Sequence, residues 1–441
     1  MRWLFVVLMG VLMISDFHGT NPGLGPGLSL KNAMLYLVVM VLAFRIALSG
    51  GFRLRMPALH LAWGIWICYA MLTWLAIALV LKYHGYDALV SAMALKAELI
   101  DYALYCFVVF YGVQSEDDFR FVLHALLAVV GISSILTLTD LVGITGLGMR
   151  VGETGAEADR VFGAFGHANE TGSWLACVLP PLVATTMTSR GLFWRLFWCG
   201  CTAATAAVLI LTVSRGAYVG ALLGYPIAAY MLRSAIPRGR IKTWTLGVIG
   251  VAVIGGAIAA IFNPAAVTAI ADRVLGIGTT LGTAGLSEAS SGRSDIWGMA
   301  LRAMMDSPLS LLTGFGWNAW STMPTIYALH NQYLDQWFNL GVLGVVTYVG
   351  LEYLTIVNAK RAAMLSSGPI RGDMIACVFG VMALSIAIIF ENMFTPRPYM
   401  WMYTGLIMRG AVLVYDKAAA RAAAVAPPVR AVPVATAWRR A

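Results

Sequence analysis

Apolar residues gather in long runs, and most polar residues fall in the gaps between them. Twelve such runs are found, near residues 3–15, 30–49, 58–81, 95–113, 120–142, 171–187, 193–213, 217–232, 243–262, 333–357, 374–392 and 398–415. About twenty apolar residues in a helix reach across the hydrocarbon core of a bilayer. The pattern therefore predicts an all-α fold, a polytopic membrane helical bundle of about twelve transmembrane helices. The first run is short and follows Arg2, as a secretory signal does, but no small-residue cleavage site comes after it. It is expected to be a retained helix.

Most gaps are short. The long exception lies between the ninth and tenth runs, at about residues 263–331, and a smaller loop covers about 142–170. Glycines at 276, 278, 282, 285 and 292 in Thr/Ser-rich sequence make the first part of the long loop flexible chain. From Ser294 the pattern changes. Ile296, Trp297, Ala300, Leu301, Met304 and Met305 form one helical stripe. That helix is too short to span, and it is expected at the membrane surface with Trp297 at headgroup level. Two readings stand for the loop, a lid over a site or a simple connector.

Composition strengthens the membrane reading. Hydrophobic residues make up 60% and charged residues 12% of 441 positions, where a soluble domain carries about 25% charged residues. The six cysteines lie in apolar runs without a Cys-x2-Cys pair, so they are read as buried, inert thiols. The net charge of +9 is explained by topology and calls for no nucleic acid. With the N-terminus inside, 18 of the 30 Lys and Arg fall on the cytoplasmic side, as the positive-inside rule requires. Both termini are then cytoplasmic, and the excess also suits contact with anionic membrane lipids. A transmembrane domain is expected over residues 1–416. Residues 417–441, rich in Ala, Pro and Arg, are expected to be a disordered cytoplasmic tail.

Four polar clusters share the non-cytoplasmic face. His330-Asn331 precedes the tenth run, with Gly341 and Gly344 spaced for close helix contact. A lone interfacial His is usually an anchor, but it is also the side chain best suited to taking a proton near neutral pH. Ser214-Arg215-Gly216 fills a tight turn on the face where Arg is disfavoured. Gly292-Arg293-Ser294-Asp295 opens the surface helix; Ser and Asp are ordinary capping residues, but a cation there opposes the helix dipole unless an anion is near. Phe165-Gly166-His167-Ala168-Asn169 opens the sixth run, with Asn169 read as its N-cap.

These segments resemble, in order, the bacterial O-antigen ligase/O-antigen polymerase superfamily: Phe165-Gly-His-Ala-Asn169, Ser214-Arg-Gly216, Gly292-Arg293…Trp297 before Gly314-Phe-Gly-Trp317, and His330-Asn331 with Gly341-x-x-Gly344. Ala168 stands where many members have Pro. The likeness covers about residues 160–350, and the His-Asn-x9-Gly-x-x-Gly spacing is its most specific part. It implies a GT-C-like glycosyltransferase of the bacterial inner membrane. Such an enzyme moves a glycan from an undecaprenyl-diphosphate donor to an acceptor sugar, lipid A-core in a ligase, at the periplasmic face. No cofactor is implied.

On that footing His330 is the expected base, and Arg215 and Arg293 the expected diphosphate clamp, since guanidinium forks hold phosphate oxygens bidentately. Asn331 would orient the acceptor or His330. His167, Asn169, Trp297, Arg160 and Arg302 are the expected substrate-binding residues, with Arg273 a lesser candidate. The absence of any Asp-x-Asp, beside the Arg pair, points to a metal-independent, inverting transfer. One alternative is a polymerase joining carrier-linked repeat units of O-antigen or exopolysaccharide. Another is a lipid-linked sugar transporter or flippase, for which Arg45, Glu98, Asp101, Glu391 and Arg409 in or beside the runs are the relevant residues.

Overall fold

The protein is described by a computed structural model covering residues 1–16, 23–25, 28–49, 52–82, 85–147, 160–236, 238–262, 264, 292–322, 328–393 and 396–425. Each of the twelve apolar runs is helical among these residues. The first three are α1 (Arg2–Asp16), α2 (Leu30–Leu48) and α3 (Pro57–Ala76), the last continuing through a wider π-turn at Ile77–Leu81. A short antiparallel pair, β1 (Gly23–Gly25) and β2 (Leu28–Ser29), precedes α2. The fourth run divides into α4 (Ala88–Leu95), a π-turn at Lys96–Ile100 and α5 (Asp101–Gly112). Next come α6 (Glu116–Leu141), α7 (Ala168–Thr188), α8 (Leu192–Leu211), α9 (Arg215–Met231) and α10 (Arg238–Phe262). The long loop contributes α11 (Arg293–Asp306), α12 (Pro308–Thr313) and α13 (Ala319–Thr322). The chain then runs through α14 (Gln332–Leu365), α15 (Pro369–Ala387) and α16 (Arg397–Val425).

Six of these helices are long and apolar enough to cross a membrane: α2, α3 with its π-turn, α6, α8, α14 and α15. Large side chains such as Met40, Phe44, Leu61, Leu72 and Leu79 stand exposed on α2 and α3. An apolar surface of that extent is at home against lipid rather than water. Cys106, Cys177, Cys201 and Cys377 are buried as expected. Cys68 and Cys199 correct that reading, because they lie on outward faces of α3 and α8 and are exposed.

The inner packing is backbone against backbone. Gly216, Gly220 and Gly224 recur every four residues along α9 and face α15: a Cβ on Gly220 would stand 2.5 Å from the Ala383 carbonyl, and one on Gly224 2.6 Å from the Ala383 Cα. Small residues at this spacing let helices in lipid approach closely. The contact presses the start of α9 against the chain leaving α15, because a Cβ on Gly216 would stand 2.9 Å from Phe390 Cβ.

α14 is broken. Gly341 has φ 62° and ψ −161°, a region that essentially only glycine occupies. The break frees the carbonyls of Phe338 and Asn339, and these accept instead from the N–H groups of Phe315 (2.8 Å) and Gly316 (2.8 Å). Gly314 lies in the same contact, where a Cβ would meet the Asn339 carbonyl at 2.3 Å. The Gly-Phe-Gly-Trp segment thus serves as a brace for the break in α14.

Two boundaries differ from the hydropathy reading. α15 ends at Ala387, before the expected edge at 392, because its last carbonyls are taken up by the turn N–H groups of Ile388, Ile389 and Phe390. Glu391 therefore stands in the connecting segment rather than in the span. α16 continues to Val425, so residues 417–425, expected to be disordered tail, are helical. The alanine-rich sequence there favours helix strongly. The remainder of that tail, and residues 263 and 265–291, which hold Arg273 and the flexible part of the loop read as either a lid or a connector, lie outside the described residues.

Candidate active site

The starts of α7, α9, α11, α14 and α16 meet the ends of α8 and α15 at one end of the bundle. His330 lies at its centre. The residue takes φ 49°, the left-handed region that non-glycine side chains rarely adopt, and its side chain is 27% exposed. Its Nδ1 lies 2.8 Å from Oε1 of Glu391, a carboxylate buried to 4% exposure. An ionised carboxylate only accepts, so Nδ1 carries the proton, which in a neutral imidazole leaves the lone pair on Nε2.

Two chain segments lie side by side here with a constant offset of 61 residues. His330 meets Glu391, the Asn331 N–H donates to Asn392 Oδ1 (2.6 Å), and the Met393 N–H donates to Gln332 Oε1 (3.2 Å). Arg397, itself buried, donates to the same Gln332 oxygen at 3.0 Å and reaches Glu98 at 3.4 Å. The Asn331 side chain caps α14 by accepting from the Leu334 N–H (2.9 Å). Asn331 therefore fixes the backbone on which His330 sits.

Arg293 opens α11, and its Nη2 lies 3.5 Å from Glu391 Oε2. Glu391 is the anion that reconciles a cation with the positive end of a helix. Burial pushes the Glu391 carboxyl up. The bond from His330, then the charges of His330, Arg293 and His167, outweigh it and hold the group below its ordinary value. Arg215 begins α9, half-buried, after Ser214, whose hydroxyl caps the helix by accepting from the Ala217 N–H (3.3 Å). The preceding Val213 has φ 49°. A β-branched residue in that region is a genuine outlier, and such strain concentrates at functional sites.

At the start of α7 the N-cap is His167, where Asn169 was expected: the His167 Nδ1 accepts from the Asn169 N–H at 3.4 Å. The His167 ring stands 6.4 Å from the His330 ring, centroid to centroid. Asn169 takes a hydrogen bond from Arg160 Nη2, and Arg160 Nε donates to the Thr212 carbonyl at 3.0 Å. Both side chains are buried, and the Arg160–Asn169 pair ties the start of α7 to the end of α8.

Residues 200–349, 150 of the 441 positions, match the O-antigen ligase family model. This segment is O-antigen ligase-like. The match spans Arg215, Arg293, Trp297, His330 and both glycines of the α14 motif, so the resemblance drawn from these motifs holds here. No curated protein matches the chain. The protein is thus a multi-pass membrane protein with an O-antigen ligase or polymerase type of function, acting on lipid-linked glycan and an acceptor in general.

Within the ligase-like segment Trp297 also makes a structural contact. Its Nε1 donates to the Leu329 carbonyl at 2.8 Å, which ties α11 to the peptide just before His330. The buried side of α11 is Ile296, Ala300 and Met304, packed with Phe315, Trp320, Leu329 and Phe338 in a second small core. α11 is therefore docked on protein, and its opposite side, with Asp295, Met299, Arg302, Met305 and Asp306, is exposed. Arg302 is exposed and lies nine residues, roughly 13 Å, along α11 from Arg293. The structure does not bring it to the His330 group.

Glu391 and Asn392 lie outside the matched segment and were not read as site residues from sequence. Their signal was available in retrospect: Glu391-Asn392 is a polar doublet ending an apolar run, as His330-Asn331 is a polar doublet beginning one.

Proposed function

We propose that the protein is an inner-membrane glycosyltransferase of twelve spans that moves a glycan from undecaprenyl diphosphate to an acceptor sugar on lipid A-core, at the periplasmic face. The observation that carries this reading is the His330–Glu391 pair with Arg293 on the second carboxylate oxygen. The acceptor hydroxyl is a poor nucleophile until a base removes its proton as the new bond forms. His330 Nε2 takes that proton. The acceptor oxygen bonds to the anomeric carbon as the bond from that carbon to the diphosphate oxygen breaks, with inversion. Arg215 and Arg293 meet the charge that grows on the departing diphosphate, and we read the reaction as metal-independent because guanidinium supplies this charge. Glu391 orients the imidazole and steadies the imidazolium. Arg160 and Asn169 support the site from behind.

Transfer to a second carrier-linked repeat, a polymerase reaction, would use the same base and clamp. A transporter reading finds less support. Glu98 meets Arg397, Asp101 meets Lys96 at 2.8 Å, and Arg409 donates to the Val113 carbonyl, so these intramembrane ionisable groups are spent on local contacts. The deciding experiment gives purified protein an undecaprenyl-diphosphate glycan with either lipid A-core or a second carrier-linked repeat, and sizes the products. Glycan on lipid A-core supports the ligase, lengthened carrier-linked glycan supports the polymerase, and transfer to neither contradicts the enzyme reading.

A further inference from the structure

The other end of the bundle holds a cavity of about 1630 Å³. It lies between the starts of α6, α8 and α15 and the end of α7, so α7 separates it from His167 by its full 21 residues. That is roughly 31 Å, about the thickness of a bilayer's hydrocarbon core. The cavity is thus at the opposite membrane face from His330.

Its wall has two characters. One side is basic: Arg120, Arg190 and Arg371 line it. Among the described residues the carboxylate that answers them is Asp373, which pairs with Arg120 at 3.2 Å. Two buried nitrogens on the lining, His124 Nε2 and Arg371 Nε, have no hydrogen-bond partner. The first turns of α8 and α15 also border it, and their N-cap residues, Gly191 and Gly368, supply no side-chain cap. Unsatisfied helix N-termini favour anions. The other side is aromatic, with Phe193 and Trp194 exposed and Trp198 deeper. Aromatic rings of this kind sit at the level of lipid headgroups.

We propose that this cavity binds an anionic phospholipid of the leaflet opposite the His330 site. The arginines and the two uncapped helix starts hold the phosphate, and the aromatic side receives the upper acyl chains. A free phosphate would leave most of the space unused, since drug-sized ligands fill pockets of about 300–1,000 Å³. The excess of Lys and Arg on this face fits basic pockets between membrane helices that recognise anionic headgroups.

The test is native mass spectrometry of the full-length protein in detergent, with phosphatidylglycerol or phosphatidylethanolamine added at equal concentration. One phosphatidylglycerol should be retained at least about tenfold more strongly than phosphatidylethanolamine. Each arginine near a membrane surface contributes about fivefold, so R190Q and R371Q should each weaken retention by about that factor. Arg190 is exposed, so R190Q reports binding even if R371Q folds poorly. Equal retention of the two lipids, or unchanged retention in R190Q, would overturn the proposal. So would displacement by millimolar inorganic phosphate, or by a polyprenyl phosphate at equal concentration. None of these outcomes depends on glycan transfer.

Discussion

His330 Nδ1 and Glu391 Oε1 stand 2.8 Å apart across 61 residues of chain. The bond joins the start of α14 to the segment leaving α15, and it holds the imidazole through Nδ1. It also places Glu391 between the imidazole and a guanidinium, since Arg293 faces the other carboxylate oxygen at 3.5 Å.

Replacing Glu391 by Gln keeps the shape and removes the charge. Transfer should fall roughly 10²-fold, a part of the 10²–10⁴ that a positioned base contributes. In a cycle with His330→Ala the two losses should not add, because Glu391 acts through His330. Additive losses would assign Glu391 an independent role.

The same carboxyl predicts a pH signature. Its folded value is lowered, so its contribution to stability is fully present above its ordinary value, about 4.5, and is lost as pH falls through the lowered one. Thermal unfolding of wild type and E391Q, compared from pH 7 down to pH 3, should show the wild-type advantage shrinking over that acid window. An advantage that grows toward acid would contradict the assignment.

Arg215→Lys keeps a charge and loses the planar fork. Turnover should drop about tenfold, and Arg215→Ala should lose about 10²-fold, the scale of one removed charge-stabilising donor. Assays at saturating and limiting donor separate binding from chemistry. Unchanged donor use by the Lys variant would show that Arg215 only anchors the turn.

Gly341→Ala puts a Cβ 2.1 Å from the Leu312 carbonyl at a backbone conformation that side chains avoid. The expected cost is roughly 2–4 kcal/mol, read as a lower unfolding temperature in detergent. Gly350→Ala, with open space around the position, is the control and should be neutral or slightly stabilising.

The helices were legible because run length alone decides whether an apolar segment can span a bilayer, and all twelve runs are helical. The site was legible in part. His330, Arg215 and Arg293 stand out as polar groups at the mouths of apolar runs. Glu391 was hidden because its partner is 61 residues away and nothing local marks the pairing. Trp297 resembles a headgroup anchor in sequence, and only the docking of α11 shows its indole N–H holding the Leu329 carbonyl. The four-residue spacing of Gly216, Gly220 and Gly224 was present to be read, and it is what brings the start of α9, at Gly216, against Phe390. The break at Gly341 was read as close helix contact; a helical period carries no sign that the ladder opens there and is closed again by Phe315 and Gly316.

The central claim is that His330 takes the proton of the acceptor hydroxyl. The most direct measurement is the transfer rate of His330→Gln in vesicles, alongside its binding of undecaprenyl-diphosphate glycan. Transfer should fall by about 10²–10⁴-fold while donor binding stays within about threefold, a change worth less than ~1 kcal/mol. Near-normal transfer by His330→Gln would contradict the account.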